Sequence, residues 1–351
     1  MTSIAKPPVR HPGLTKNALG FTKRDYEGAM STLCAGCGHD SVTAALIQAA
    51  WELDLPPHRA AKMSGIGCSS KTTAYFMKQS HGFNSVHGRM PSVTSGANAA
   101  NRDLTYIGIS GDGDSLSIGL GQLSHAIRRN PRMLYVIENN GVYGLTKGQF
   151  SASADIGSTS KKGEANIQPP IDPVLLALTL GATFVARSFS GDKAQLVPIL
   201  KAGLKHNGLA LIDVISPCVS FNDHEGSTKS YQYTRDHEVE IAEADFVPLR
   251  REITAPETGD SIAVVTMHDG STVRFHKTHE DYDPTDRAAA YAHVRACHDR
   301  NEVATGLLFI DENGKDMHAV SRTVETPLVD IPFSELCPGN EALQKLMDGY
   351  R

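Results

Sequence analysis

Two short apolar runs, each ending in polar residues, constrain this chain more than any other feature. Residues 105–110 (TYIGIS) lead directly into Gly111-Asp112-Gly113-Asp114, and residues 133–137 (MLYVI) lead into Glu138-Asn139-Asn140. Residues 116–129 between them read as a helix with Arg128 and Arg129 in its last turn, where cations suit the helix dipole. A right-handed crossover of this kind lays both polar tips at one edge of a parallel sheet. The alternation continues with helix at 173–180, strand at 183–188, helix at 194–205 and strand at 210–215 (ALIDVI). The expected architecture is therefore α/β, a mostly parallel sheet covered by helices on both faces. Such sheets hold ligands beyond the carboxyl ends of their strands.

Asp112 and the side-chain carbonyl of Asn140 are hard oxygen donors, which Mg²⁺ prefers and commonly shares with a diphosphate. Gly111 and Gly113 permit close backbone approach, and a helix starting near Ser115 would offer its positive end to an anion. Asp-Gly alone is a common turn. A GDGD at one strand end followed by an NN at the next is far more specific.

The second constellation is cysteine. Cys34 and Cys37 form a Cys-Ala-Gly-Cys loop, Cys68 stands in Gly65-Ile66-Gly67-Cys68-Ser69-Ser70, and Cys218 follows Pro217 directly after an apolar strand. Each sits on a turn at the end of an element, where thiolates can meet. Four such thiolates suit an iron–sulfur cluster or a zinc ion. A thioredoxin-like disulfide or plain buried thiols remain open on this pattern alone. Cys297 and Cys337 lie outside it and read as ordinary thiols.

Composition narrows the class. The 351 residues are 40% hydrophobic and 21% charged, enough for a large core and too apolar for overall disorder. The net charge of −5 argues against general nucleic-acid binding. No apolar run reaches the length of a membrane span. The polar start lacks the apolar stretch of a secretory leader, so a cytoplasmic location is expected. Residues 1–31 read as an extended N-terminal arm, 32–231 as the ligand-binding domain, and 232–351 as a C-terminal extension. That extension holds a hairpin turning at His268-Asp269-Gly270-Ser271, a helix over 286–300 and a terminal helix.

Taken together, Cys34-Ala35-Gly36-Cys37-Gly38-His39, Gly65-Ile66-Gly67-Cys68-Ser69, His87-Gly88-Arg89, the GDGD run, residues 140–149 (NGVYGLTKGQ) and Ser216-Pro217-Cys218 resemble the beta subunit of 2-oxoacid:ferredoxin oxidoreductases, nearest the 2-oxoglutarate type. The resemblance implies the thiamine-diphosphate-binding fold with a C-terminal appendage. It also implies a [4Fe–4S] cluster on Cys34, Cys37, Cys68 and Cys218, and Mg²⁺ on the side chains of Asp112 and Asn140 and the carbonyl of Val142. His39, Ile66, Gly67, Ser69, Gly111, Gly113, Asp114, Tyr143, Gly144, Leu145 and Thr146 would line the cofactor. His87 and Arg89 would lie near diphosphate and substrate, and Lys147 would meet a distal carboxylate of the substrate. The implied reaction is CoA-dependent oxidative decarboxylation of 2-oxoglutarate to succinyl-CoA and CO₂, or its reverse, with electrons leaving through the cluster to ferredoxin. The same chemistry on pyruvate or another 2-oxoacid is the alternative, and a cluster-free decarboxylase would leave the four cysteines without a task. The family also implies an alpha subunit that supplies an activating glutamate across an interface, so the chain alone is expected to be inactive.

Overall fold

A computed structural model of the chain describes residues 13–159, 163–247, 262–267, 272–277 and 282–350. The strands are β1 (Ala60–Ser64), β2 (His81–Asn84), β3 (Thr105–Gly111), β4 (Met133–Asn139), β5 (Val142–Tyr143), β6 (Gln149–Phe150), β7 (Phe184–Phe189), β8 (Leu209–Ile215), β9 (Glu238–Val247), β10 (Ile262–Thr266), β11 (Thr272–Lys277) and β12 (Val303–Ile310). Ten of them form one sheet in the order β10-β11-β9-β12-β7-β8-β4-β3-β1-β2, and β5 and β6 pair separately. From β7 through β2 every pairing is parallel. Strand β12 runs antiparallel to β7 and parallel to β9, and β11 is antiparallel to both β9 and β10. The expected hairpin is thus formed by β10 and β11, while its turn residues fall outside the described residues.

The central strands are buried on both faces, and their side chains alternate between two cores. Ile107, Ile109, Leu134, Val136, Ala210 and Ile212 point to one side. There helices α1 (Gly38–Glu52) and α6 (Lys193–Lys205) supply Val42, Leu46, Leu196 and Leu200. Tyr106, Met133, Tyr135, Ile137, Leu209 and Leu211 point to the other. Further helices cover that face: α3 (Met90–Ala100), α4 (Leu120–Arg129), α5 (Pro173–Leu180) and α8 (Arg287–Asp299). This period of two on fully buried strands is what a sheet covered on both sides requires. Helix α5 shows the start and stop chemistry plainly. The Asp172 carboxylate accepts from the backbone N–H of Val174 and Leu175, Pro173 takes the first turn, and Gly181 ends it at φ +84°.

The structure differs from the sequence reading at four points. The helix read over 116–129 is broken at Gly119: residues Gly113–Ile118 wind with the wider π spacing, and α4 begins only at Leu120. The break is packing-driven, because a Cβ on Gly88 would lie 2.6 Å from the Gly119 Cα, so two backbones touch there. Strand β1 escaped detection because Lys62 stands in its middle. The lysine is buried by donating to the Phe76 carbonyl at 2.6 Å and lying over the Phe76 ring. The described part of the arm is strapped down. The Trp51 indole donates to the Phe21 carbonyl, and Tyr26 is fully buried. Residues beyond 231 continue the core sheet through β9–β12.

Candidate functional site

The carboxyl ends of β1, β3 and β4, with the loop after β4, enclose a cavity of about 280 Å³. Its lining includes His39, Ile66, Gly67, Cys68, Ser69, His87, Gly111, Asp112, Gly113, Asp114, Asn140, Val142, Tyr143, Gly144, Leu145 and Thr146. The structure thus gathers most of the residues singled out from the sequence. Five lie outside the lining: Cys34, Cys37 and Cys218 on the loops beside it, and Arg89 and Lys147. Arg89 is exposed and donates to the His87 carbonyl, and Lys147 is exposed one residue beyond the mouth, in a turn closed by Gly148 N–H on the Tyr143 carbonyl.

Asp112 is fully buried. Its Oδ2 accepts hydrogen bonds from the hydroxyls of Ser151 and of Ser153, the latter at 2.6 Å, and its Oδ1 faces the Asn140 N–H at 3.4 Å. Burial raises its pKa and the serine hydroxyls partly offset that. The Asn140 side-chain oxygen accepts from the Val142 N–H at 3.1 Å, and its carbonyl accepts from the Asn222 amide at 2.7 Å. Oxygen donors thus converge at the strand tips, a donor set that suits a hard cation. Asp114, expected among the cofactor contacts, spends its carboxylate on the frame. It accepts from Gly88 N–H at 2.8 Å and the Ser110 hydroxyl at 2.8 Å, with Ile66 N–H at 3.4 Å. One side chain therefore ties together the ends of β1 and β3 and the loop before α3.

The cysteine loops meet on the other flank. The 34–37 loop turns at Gly36 with φ +80°, packs against Val219, and accepts from the Tyr231 hydroxyl at the Gly36 carbonyl. Gly38 N–H donates to the Pro217 carbonyl, and the Ser220 hydroxyl donates to the Cys34 sulfur at 3.4 Å. A methyl group on Gly144 would touch the sulfurs of both Cys68 and Cys218 at 3.6 Å. The thiols also sense one another. Burial pushes Cys37 up to about 12, with Glu138 and Cys218 adding to it. Cys68 is raised by burial and by Cys218 and Cys34, and Cys218 by burial and by Cys34. Among the described residues no three His, Cys, Asp or Glu side chains gather round one point as a single metal ion needs.

Between the two flanks lies a buried group that the sequence reading missed. Glu138, wholly inaccessible, accepts from the Thr72 hydroxyl at 3.0 Å and stands 3.6 Å from the His39 Nδ1. His39 shares its Nδ1 with the Ser216 hydroxyl at 2.6 Å, and burial lowers its pKa to about 4, so the imidazole is neutral at pH 7. Ile118, Glu138, Ser151, Ser153 and Ser216 complete the site and its support. Only Glu138 carried a signal, a charged residue at the end of an apolar strand. Ser216 stood in the Ser-Pro-Cys run without a role of its own, and Ser151 and Ser153 look like any loop residues.

A family model described as "Thiamine pyrophosphate enzyme, C-terminal TPP binding domain" matches residues 65–214, which hold the cavity's strand tips. The chain is 41% identical over 208 residues to a 2-oxoacid:ferredoxin oxidoreductase subunit beta of Saccharolobus solfataricus, covering 59% of this chain and 68% of that one. It is 38% identical over 220 residues to the 2-oxoglutarate oxidoreductase subunit KorB of Mycobacterium tuberculosis, covering 60% of this chain and 58% of that one. The structure resembles a 2-oxoglutarate:ferredoxin oxidoreductase from Magnetococcus marinus, solved with 2-oxoglutarate, coenzyme A and succinyl-CoA. The TM-score is 0.70 at 28% identity, over 89% of this chain and 92% of that one. On this fold, with this cavity and these relatives, the chain belongs to the family of 2-oxoacid:ferredoxin oxidoreductase beta subunits.

Proposed function

We propose that the chain is the thiamine-diphosphate-binding subunit of a CoA-dependent 2-oxoglutarate:ferredoxin oxidoreductase. The observation that carries the reading is a strand-tip cavity lined by the oxygen donors Asp112 and Asn140 and by Cys68, with the sulfurs of Cys68 and Cys218 both beside Gly144. The donor chemistry fits the groups implied. Asp112, Asn140 and the Val142 carbonyl would hold Mg²⁺, with the diphosphate against Gly111 and Gly113. Cys34, Cys37, Cys68 and Cys218 would hold a [4Fe–4S] cluster.

When bound, thiamine diphosphate supplies the nucleophilic carbon and the electron sink for decarboxylating a 2-oxoacid. A four-iron cluster supplies single-electron acceptance. The chain's own residues do the rest. Gly67, Ser69 and His87 flank the cavity where a phosphate would lie, and Leu145 and Thr146 stand at its mouth. Neutral His39, steadied by Ser216, lines the cavity two residues after Cys37, where it can accept or donate a hydrogen bond without adding charge. Arg89 is assigned to substrate approach.

Lys147 supports the choice of 2-oxoglutarate. It holds φ +78°, a left-handed conformation that costs a non-glycine residue about 1–2 kcal/mol. An exposed lysine kept there despite that cost is suited to meeting a distal carboxylate. Ile118 and Leu145 stay 44% and 49% exposed at the mouth, which suits closure by a partner subunit. We assign that role, and the activating glutamate, to an alpha subunit, with electrons leaving to ferredoxin.

The test is anaerobic assay of the assembled enzyme with 2-oxoglutarate or pyruvate, CoA and a ferredoxin or viologen acceptor. CoA-dependent reduction with 2-oxoglutarate preferred is the expected result. Preference for pyruvate would overturn the substrate assignment, and CO₂ release without acceptor reduction would overturn the oxidoreductase reading.

A further inference from the structure

Behind the strand tips lies a buried ion pair to which neither the family resemblance nor the cavity assigns a task. Strands β7 and β8 pair in register with Arg187 opposite Asp213, and β8 pairs with β4 so that Asp213 lies beside Ile137, two residues before Asn139. The Asp213 Oδ2 accepts from the Arg187 Nε at 2.8 Å, and its Oδ1 accepts from the Asn139 amide nitrogen at 3.0 Å. On its other side Asn139 presents its carbonyl oxygen, 2.9 Å from the Ser153 hydroxyl, which itself stands 2.6 Å from the Asp112 Oδ2. The line Arg187–Asp213–Asn139–Ser153–Asp112 is continuous, and each of its members is no more than 4% exposed.

We infer that Arg187, Asp213, Asn139 and Ser153 form a positioning line for the divalent-cation end of the site, setting the orientation in which Asp112 presents its carboxylate. This rests on the cofactor reading above and extends it to residues that touch neither cation nor diphosphate.

The reasoning is one of removed alternatives. A carboxylate in an open pocket can turn about its last torsion, and a serine hydroxyl can swing. An asparagine amide can sit either way round, with nearly equal shape. Each of these freedoms is stopped by the next residue in line. Asp213, an acceptor when ionised, takes the NH₂ edge of Asn139 and so aims its oxygen at Ser153. Ser153 has a single proton, which it shares between the Asn139 oxygen and the Asp112 Oδ2, where Ser151 also donates; the other Asp112 oxygen faces only the Asn140 N–H at 3.4 Å and keeps a lone pair for a cation. Burial pushes the Asp213 pKa up, and Arg187 supplies the positive charge that works against that push; Arg187 is itself fixed by Asp172 at 2.7 Å. Asp172 caps α5 and meets His298 of α8 at 2.9 Å, so the line is anchored in two helices. Partners beyond the ligands commonly change metal affinity about 10–100-fold when removed.

The test is a Mg²⁺ titration of the assembled enzyme at fixed thiamine diphosphate, with cofactor binding followed by calorimetry, for wild type, Ser153→Ala, Asp213→Asn and the double variant. Iron content and melting temperature are measured on the same samples. Each single variant is expected to raise the Mg²⁺ concentration for half-saturation about 10–100-fold with iron per chain unchanged. The double variant is expected to be no worse than the worse single, because both break one line. Wild-type half-saturation in Ser153→Ala, which loses only a hydroxyl and keeps the test alive if Asp213→Asn does not fold, would overturn the inference. Independent, multiplying effects in the double variant would do the same. If wild type itself shows no Mg²⁺-dependent binding, the cofactor reading fails first and the inference with it.

Discussion

At the scale of single residues, Lys147 separates stability from function. Its left-handed backbone suits glycine, so Lys147→Gly is expected to leave the melting temperature unchanged or raise stability by up to about 1 kcal/mol. The same change removes the proposed charge-assisted contact, worth about 1.5–3 kcal/mol, so KM for 2-oxoglutarate is expected to rise about 10–100-fold. Activity on pyruvate, which has no second carboxylate, should barely move. Equal losses on both substrates in steady-state assays would refute the assignment. Asp114 makes the complementary point. The resemblance placed it among the residues lining the cofactor; it lines the cavity, and its oxygens also serve Gly88, Ser110 and Ile66, tying the ends of β1 and β3 to the loop before α3.

At the scale of elements, the cysteine flank of the site is a junction between the start of α1 and the exit from β8. Gly38 opens α1 against Ser216, and a Cβ there would lie 2.6 Å from the Ser216 Oγ and 2.8 Å from the Ser190 Oγ. Gly38→Ala is therefore expected to cost about 1–3 kcal/mol, read by thermal melting, and to lower iron per chain by spreading Cys37 from Cys218. The two flanks should also separate genetically. Cys218→Ser is expected to lose iron and keep Mg²⁺-dependent cofactor binding, and Asp112→Asn the reverse. Simultaneous loss of both in either variant would mean that the flanks are not independent. Much of this junction was legible in the sequence because its signals are local: apolar runs ending in Gly, Asp, Asn or Cys. Strands β3, β4, β7 and β8 emerged within a residue or two for that reason. Strand β1 did not, since a buried lysine satisfied by a distant carbonyl breaks the apolar pattern. The π-wound turn at 113–118 and the line through Ser153, Asn139, Asp213 and Arg187 depend on contacts far apart in the chain. No spacing announces them.

At the scale of the whole molecule, the sheet continues through β9–β12 on the side away from the cavity, while the cavity mouth keeps exposed apolar residues. Among the described residues no helix is long and apolar enough to cross a membrane. A mouth of this kind suits a catalytic half-site completed by another chain, so the isolated chain is expected to hold iron yet give no 2-oxoglutarate-dependent acceptor reduction until its partner is added. Substrate-dependent reduction by the chain alone would contradict that expectation. In the proposed function one site serves a thiamine cofactor and an iron–sulfur cluster together. The first measurement to make is the iron, acid-labile sulfide and thiamine diphosphate content of protein purified without oxygen, with its electron paramagnetic resonance spectrum. About four irons and four sulfides per chain are expected, as a four-cysteine cube requires, together with bound cofactor. Bound cofactor without iron after anaerobic handling would contradict this reading and leave Cys34, Cys37, Cys68 and Cys218 to another role.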